Sequence, residues 1–175
     1  MQDVYERARN IRLAAFDVDG VLTDGTLYYS DSGAEMKAFN VQDGHGMKML
    51  KDSGVAVAII SSRSSGALAA RARNLGIELL YQGVADKLAA FQELLGRSGV
   101  TADACSYAGD DLVDLPVLKR CGLAVAVPEA PAVVRQHAHY VTRAGGGKGA
   151  VREISELILH ARGSLAARIA EYTER

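Results

Sequence analysis

RLAAFDVDGVLTDG, Arg12 to Gly25, passes from a short apolar run into three aspartates, Asp17, Asp19 and Asp24, with glycines at Gly20 and Gly25. The apolar run reads as a buried strand, which puts Asp17 and Asp19 directly past its carboxyl end. Clustered carboxylates repel one another, so they either stand in open solvent or surround a cation. Other apolar runs have the same form. Val55–Ile60, Cys105–Ala108 and Leu123–Val127 are short and bounded by Gly, Asp or Ser, and 77–81 and 139–142 are weaker strand candidates. Between them, 44–54, 64–76, 86–99 and 115–122 carry helical spacing, most closed by a glycine, and a further helix is expected to run to about Arg162. Strand and helix in alternation predict an α/β fold, a Rossmann-like doubly wound parallel sheet with helices on both faces. Residues 26–40 break the rhythm: two β-prone runs around Asp31-Ser32-Gly33 predict a β-hairpin after the first strand.

The 175 residues favour one domain, 1–175, with the hairpin at 26–40 and a charged, loosely held tail at 163–175. No uninterrupted apolar run reaches the roughly 18 residues a membrane span needs, so no membrane partner is expected. With 20 basic and 21 acidic residues the charge balance argues against a nucleic-acid partner. Cys105 and Cys121 are too few for a disulfide framework and lack metal-ligand spacing, which fits reduced thiols in the cytoplasm.

In such sheets ligands collect at the carboxyl ends of strands. Asp17 and Asp19 follow the first strand, Ser61, Ser62 and Arg63 follow 55–60, and Asp110 and Asp111 follow 105–108. Carboxylates from two strand ends need a cation, and a hard oxygen-ligand ion, Mg²⁺ above all, is the expected one. Taken alone, DxDG is ordinary loop chemistry. A calcium loop is excluded because Val21 and Leu22 stand where an acidic or amide residue and a glycine belong. GGGKGA is not a nucleotide loop, because Thr142 and Gly149 replace the required glycine and hydroxyl. Lys87 opens a helix, where its charge opposes the helix dipole; a solvated lysine is the plain alternative. The set is more telling than its members. A carboxylate nucleophile, a second carboxylate two residues on, a hydroxyl, a lysine and a distal acidic pair suit phosphoryl transfer through an aspartyl-phosphate.

This order of motifs resembles the haloacid dehalogenase superfamily across roughly residues 11–150. The resemblance implies Asp17 as nucleophile, Asp19 as acid/base, Ser61 on the phosphoryl group and Lys87 bridging nucleophile and phosphate. It implies Asp17, Asp110 and the backbone carbonyl of Asp19 as Mg²⁺ ligands, with Asp111 and Asp114 tuning them. Asp24 is expected to shape the following turn. No cap domain fits into 26–60 or 88–109, so specificity is expected from a macromolecular substrate or a neighbouring subunit, with Leu27, Tyr28 and Tyr29 as an association surface.

FDVDGVLTDG, FNVQDGHGMKML, YQGVADKLAAF, YAGDDLVDLPVL and GGGKGAVREI are similar to signatures of one uncapped, tetrameric subfamily, the 3-deoxy-D-manno-octulosonate 8-phosphate phosphatases. That resemblance implies a substrate cradle from Asn40, Val41, Gln42, Asp43 and Gly44 with Lys48, joined by Asp19, Arg63, Arg71 and Lys87. It implies a homotetrameric hydrolase of lipopolysaccharide biosynthesis. A nine-carbon sialic-acid-type phosphate is the alternative substrate; a phospho-accepting receiver or a non-catalytic domain is the alternative class. Ser62 stands where the subfamily commonly has glycine, which puts the path of that loop in question.

Overall fold

Short apolar runs, buried along nearly their whole length, set the architecture of the computed structural model, which describes residues 2–174. The strands are β1 (Leu13–Phe16), β2 (Tyr28–Tyr29), β3 (Glu35–Met36), β4 (Ala56–Ile60), β5 (Leu79–Tyr81), β6 (Cys105–Gly109), β7 (Leu123–Ala126) and β8 (Tyr140–Val141). The helices are α1 (Gln2–Arg9), α2 (Val41–Asp52), α3 (Gly66–Leu75), α4 (Lys87–Ser98), α5 (Leu115–Leu118), α6 (Ala132–Gln136), α7 (Ala150–Ala161) and α8 (Leu165–Thr173). Six strands pair in parallel in the order β5-β4-β1-β6-β7-β8, while β2 and β3 pair antiparallel as a separate hairpin. Strand order reverses at β1, between β4 and β6, and that reversal opens a crevice at the carboxyl ends of these strands. This is the doubly wound α/β fold the alternating pattern predicts.

Register aligns the ends that matter. Phe16 lies opposite Ile59 on one side and Ala108 on the other. Asp17, Ser61 and Asp110 therefore each sit just past the last residue of neighbouring strands. Helices pack in two groups, α1 and α2 against α7, and α4 against α5. In α7 the buried residues Val151, Ile154, Ser155, Ile158 and Leu159 recur at helical spacing, giving one inward stripe. At the α2–α7 crossing a Cβ on Gly46 would come 2.9 Å from Ser155 Oγ, so glycine there allows the close approach.

Segments 26–60 and 88–109 hold only the hairpin, α2 and β4 in the first, and most of α4, a 3₁₀ turn and β6 in the second, with no inserted cap. The tail departs from the expectation of loose chain. Leu165–Thr173 is helical, with Tyr172 5.4 Å from the His45 ring and Arg168 donating to Asp52 O. Its spacing of Leu165, Ile169 and Tyr172 is helical too, and the charge between them masked it. Residue 175 lies outside the described residues. Ser62 needs no special conformation, since no non-glycine residue among those described takes a positive φ. No helix among the described residues is long and apolar enough to cross a membrane.

Candidate active site

Asp17 emerges from β1 with its N–H donating to Ala108 O at 2.9 Å, so the central strand pair fixes its backbone. Burial is nearly complete: Asp17 is 6% exposed, Ser61 1%, Lys87 4% and Asp114 0%. Asp17, Ser61 and Lys87 line a cleft of about 260 Å³ with Asp19, Arg63, Asp110, Asp111 and Val113, and Asp114 lies beneath it. Ser61 Oγ accepts from Arg63 N, so the turn after β4 is held by the hydroxyl itself. A larger depression of about 450 Å³ lies at the opposite ends of β4 and β5, beside Val55 and Leu79, and holds no comparable ionisable cluster.

Lys87 is the first residue of α4, whose preceding Asp86 caps the Leu88 and Ala89 N–H groups. Its ammonium opposes the helix dipole, and two carboxylates offset that cost. Lys87 Nζ stands 2.7 Å from Asp17 Oδ2 and 2.7 Å from Asp114 Oδ1. The solvated alternative is thereby excluded. Asp114 is saturated: Oδ1 also accepts from Tyr107 Oη at 2.6 Å, and Oδ2 accepts from the N–H groups of Asp110 and Asp111.

Carboxylate oxygens of Asp17, Asp110 and Asp114 all lie within 4.8 Å of one another. Burial first, and the neighbouring Asp114 charge second, push Asp17 up to about 7 against the pull of Lys87. The same causes push Asp110 up to about 6. Two carboxylates so crowded and dry that their charged forms are both disfavoured are the donor set a hard divalent cation fits, because its charge offsets both penalties. Asp114, with both oxygens already engaged, serves as an anchor, and Asp17 and Asp110 supply the open oxygens.

Glycines explain how the motifs meet. Gly20 takes φ +89°, and a Cβ there would stand 2.0 Å from Asp110 Oδ2. A Cβ on Gly109 would come 2.5 Å from Asp114 Cβ. Gly146 lies against Gly20, where a Cβ would be 1.8 Å from the carbonyl oxygen. The GGGKG segment is thus a backbone-on-backbone support for the turn after β1. Asp24 caps that turn by accepting from Thr26 N at 2.9 Å.

The Asp19 carboxylate turns away from the acidic trio. It accepts a hydrogen bond from Lys37 Nζ, and Arg63 Nε stands 3.8 Å from its other oxygen. Arg63 in turn donates to Glu35 Oε2 at 2.6 Å and Tyr29 Oη at 2.7 Å. Sequence reasoning missed Glu35 and Lys37, although alternation along an extended strand puts residues two apart on one face. Tyr29 pairs with Glu35 across the hairpin.

Seven expected cradle residues do not line this cleft. Asn40 caps α2, its Oδ1 accepting from Gln42 N and Asp43 N. Asp43 is 1% exposed and accepts from Arg152 N at 2.7 Å and Gly149 N at 3.3 Å, so its carboxylate caps α7. Burial pushes its carboxyl up, against those same N–H donors. Gly44 leaves room for the Arg71 guanidinium, which donates to Asn40 O. Val41, Gln42 and Lys48 are exposed on α2.

Residues 77–154 match the family model of the haloacid dehalogenase-like hydrolases. The chain is 50% identical over 163 residues to the 3-deoxy-D-manno-octulosonate 8-phosphate phosphatase of Yersinia pestis, covering 93% of this chain and 87% of that protein. A probable YrbI family phosphatase structure from Pseudomonas syringae superposes with a TM-score of 0.98 at 51% identity, over 100% of this chain and 99% of that one. The Moraxella catarrhalis 3-deoxy-D-manno-octulosonate 8-phosphate phosphatase, solved with magnesium, phosphate and a KDO molecule, gives 0.96 at 44% identity, over 98% and 99%.

Proposed function

The chain belongs to the 3-deoxy-D-manno-octulosonate 8-phosphate phosphatases of the haloacid dehalogenase superfamily, and we propose that its cleft hydrolyses that ester to the free sugar acid and inorganic phosphate. The observation that carries the chemistry is the buried Lys87 bridge between Asp17 and Asp114. Such a bridge neutralises an anionic nucleophile that must approach an anionic phosphate.

Asp17 attacks phosphorus, and the bond from phosphorus to the sugar oxygen breaks as Asp19 gives that oxygen a proton. Asp19 then takes a proton from water, whose oxygen attacks the phosphorus of the aspartyl-phosphate and releases phosphate and the Asp17 carboxylate. Ser61 donates its hydroxyl to the phosphoryl oxygens. Asp17, Asp110 and the Asp19 carbonyl would hold Mg²⁺, which would supply positive charge against the phosphoryl oxygens and the crowded carboxylates.

Arg63, half in solvent at the rim, suits the carboxylate of an α-keto sugar acid. The uncapped cleft leaves the rest of the substrate to a neighbouring copy. Leu27, Tyr28, Tyr29 and Met36 are 42–57% exposed on the hairpin, an apolar surface that supports a homotetramer. Exposed Val41, Gln42 and Lys48 meet substrate across such a boundary. The cytoplasm, where sugar phosphates are made, is its compartment.

The test is Mg²⁺-dependent phosphate release from 3-deoxy-D-manno-octulosonate 8-phosphate, a nine-carbon keto-acid phosphate and a hexose phosphate, with Asp17→Asn as control. Strong preference for the first and no turnover by the variant are expected. Equal or reversed preference rejects the substrate, and turnover by Asp17→Asn rejects the nucleophile.

A further inference from the structure

Lys37 is the single cation of the 26–40 hairpin, and its side chain is 2% exposed, yet it does not line the cleft. Its ammonium donates to Asp19 Oδ1 and stands 3.1 Å from Glu35 Oε1. Glu35 reaches the other way, accepting from Arg63 at 2.6 Å. One face of the hairpin therefore carries a continuous line, Asp19–Lys37–Glu35–Arg63, closed by Arg63 Nε 3.8 Å from Asp19 Oδ2. Met36, between Glu35 and Lys37, is 57% exposed and points elsewhere. The two sides of the hairpin have separate tasks.

A free carboxylate on a turn after a strand rotates among rotamers, and proton transfer needs the donor within hydrogen-bond reach of the leaving oxygen. We propose that Lys37 is a positioning residue for the reaction: from behind the cleft it fixes the Asp19 carboxylate toward the leaving oxygen, and Glu35 couples that position to Arg63 at the rim. The inference rests on the phosphatase reading above. The Lys37 side chain is covered by its own chain and lies outside the cleft lining, so it acts through Asp19. Arg63 engaged by a substrate carboxylate and Asp19 poised for its leaving oxygen are thus parts of one charged network.

The test separates esters by how much they need an acid. A sugar phosphate leaves as an alkoxide and requires the Asp19 proton; p-nitrophenyl phosphate leaves as a stable phenolate and does not. kcat/KM covers the steps up to departure of the leaving group, so Lys37→Met should lower kcat/KM for the sugar-acid phosphate about tenfold or more beyond any loss with the aryl ester. Lys37→Arg, which keeps the charge, should restore most of that difference. Glu35→Gln should shift the ratio in the same direction by a smaller factor, and it carries the test if Lys37→Met does not fold. Equal losses on both esters, or none on either, overturn the positioning role. Wild-type chain that turns over neither ester overturns the phosphatase reading itself and this role with it.

Discussion

Lys87 Nζ lies 2.7 Å from Asp17 Oδ2 and 2.7 Å from Asp114 Oδ1, so one buried ammonium joins the first strand's aspartate to the 3₁₀ turn after β6. Removing one partner of a buried pair leaves the other uncompensated, at a cost of roughly 3–5 kcal/mol. Asp114→Asn is therefore expected to lower stability by that order and turnover by more than about tenfold, although Asp114 touches no substrate. Tyr107→Phe removes only the hydroxyl that Asp114 accepts from at 2.6 Å. It should cost about 1–2 kcal/mol and leave turnover within a few-fold. Urea unfolding beside steady-state kinetics checks both; a Phe variant as damaged as the Asn variant would reject the assigned hierarchy.

Burial pushes Asp17 up to about 7 and Asp110 up to about 6, so the cation-free cleft carries a standing electrostatic penalty. Magnesium at about a hundred times its dissociation constant should stabilise the fold by about 2.7 kcal/mol. In a chain of this size that is a rise in Tm of roughly 5–10 °C. Chelation should reverse it, and Asp110→Ala should abolish it. An Mg²⁺-induced shift that survives Asp110→Ala would place the ion elsewhere.

Gly146 sits where a Cβ would meet the Gly20 carbonyl oxygen at 1.8 Å and Thr23 O at 2.8 Å. Backbone cannot move aside as a side chain can, so Gly146→Ala must displace the turn that follows Asp19. A stability loss of about 3 kcal/mol is expected, with kcat falling although residue 146 lies far from Asp17 in sequence. Gly96→Ala is the control, since nothing stands within 4 Å of a Cβ there and it replaces a glycine in the last turn of α4. If the two variants behave alike, the buttress is wrong.

The residues legible in the sequence are those whose position is set locally. Asp17, Ser61 and Asp110 each follow a buried strand by one residue, so pattern places them, whereas Lys87 opens a helix and only the whole set of motifs pointed to it. Asp43 entered only through the family resemblance, and nothing in its own stretch shows that its partners are the N–H groups at 149 and 152. GGGKG likewise had no local meaning, since its glycines are required by contact with the turn after β1. Glu35 and Lys37 act on Asp19 and Arg63 across the hairpin, and nothing in their own stretch names those partners. Spacing shows which face a side chain occupies; it does not show what the fold brings against that face.

Glu153, in the first turn of α7, joins that support to the sheet edge. Its Oε1 accepts from Tyr140 Oη at 2.5 Å, and Oε2 accepts from Ala144 N at 2.9 Å, with Arg143 N shared between them. Burial raises its carboxyl, but the Tyr140 hydroxyl and the two N–H donors outweigh it and hold the group below its ordinary value. A carboxyl with a lowered folded-state pKa stabilises the fold above its unfolded value and loses that contribution as pH falls through the folded one. Glu153→Gln should therefore cost about 1–2 kcal/mol at pH 7, and the gap from wild type should narrow below about pH 4. Urea unfolding at several pH values reads this directly. A gap that stays constant into acid would mean that the carboxylate's charge contributes nothing and that only the shape of the side chain holds the loop.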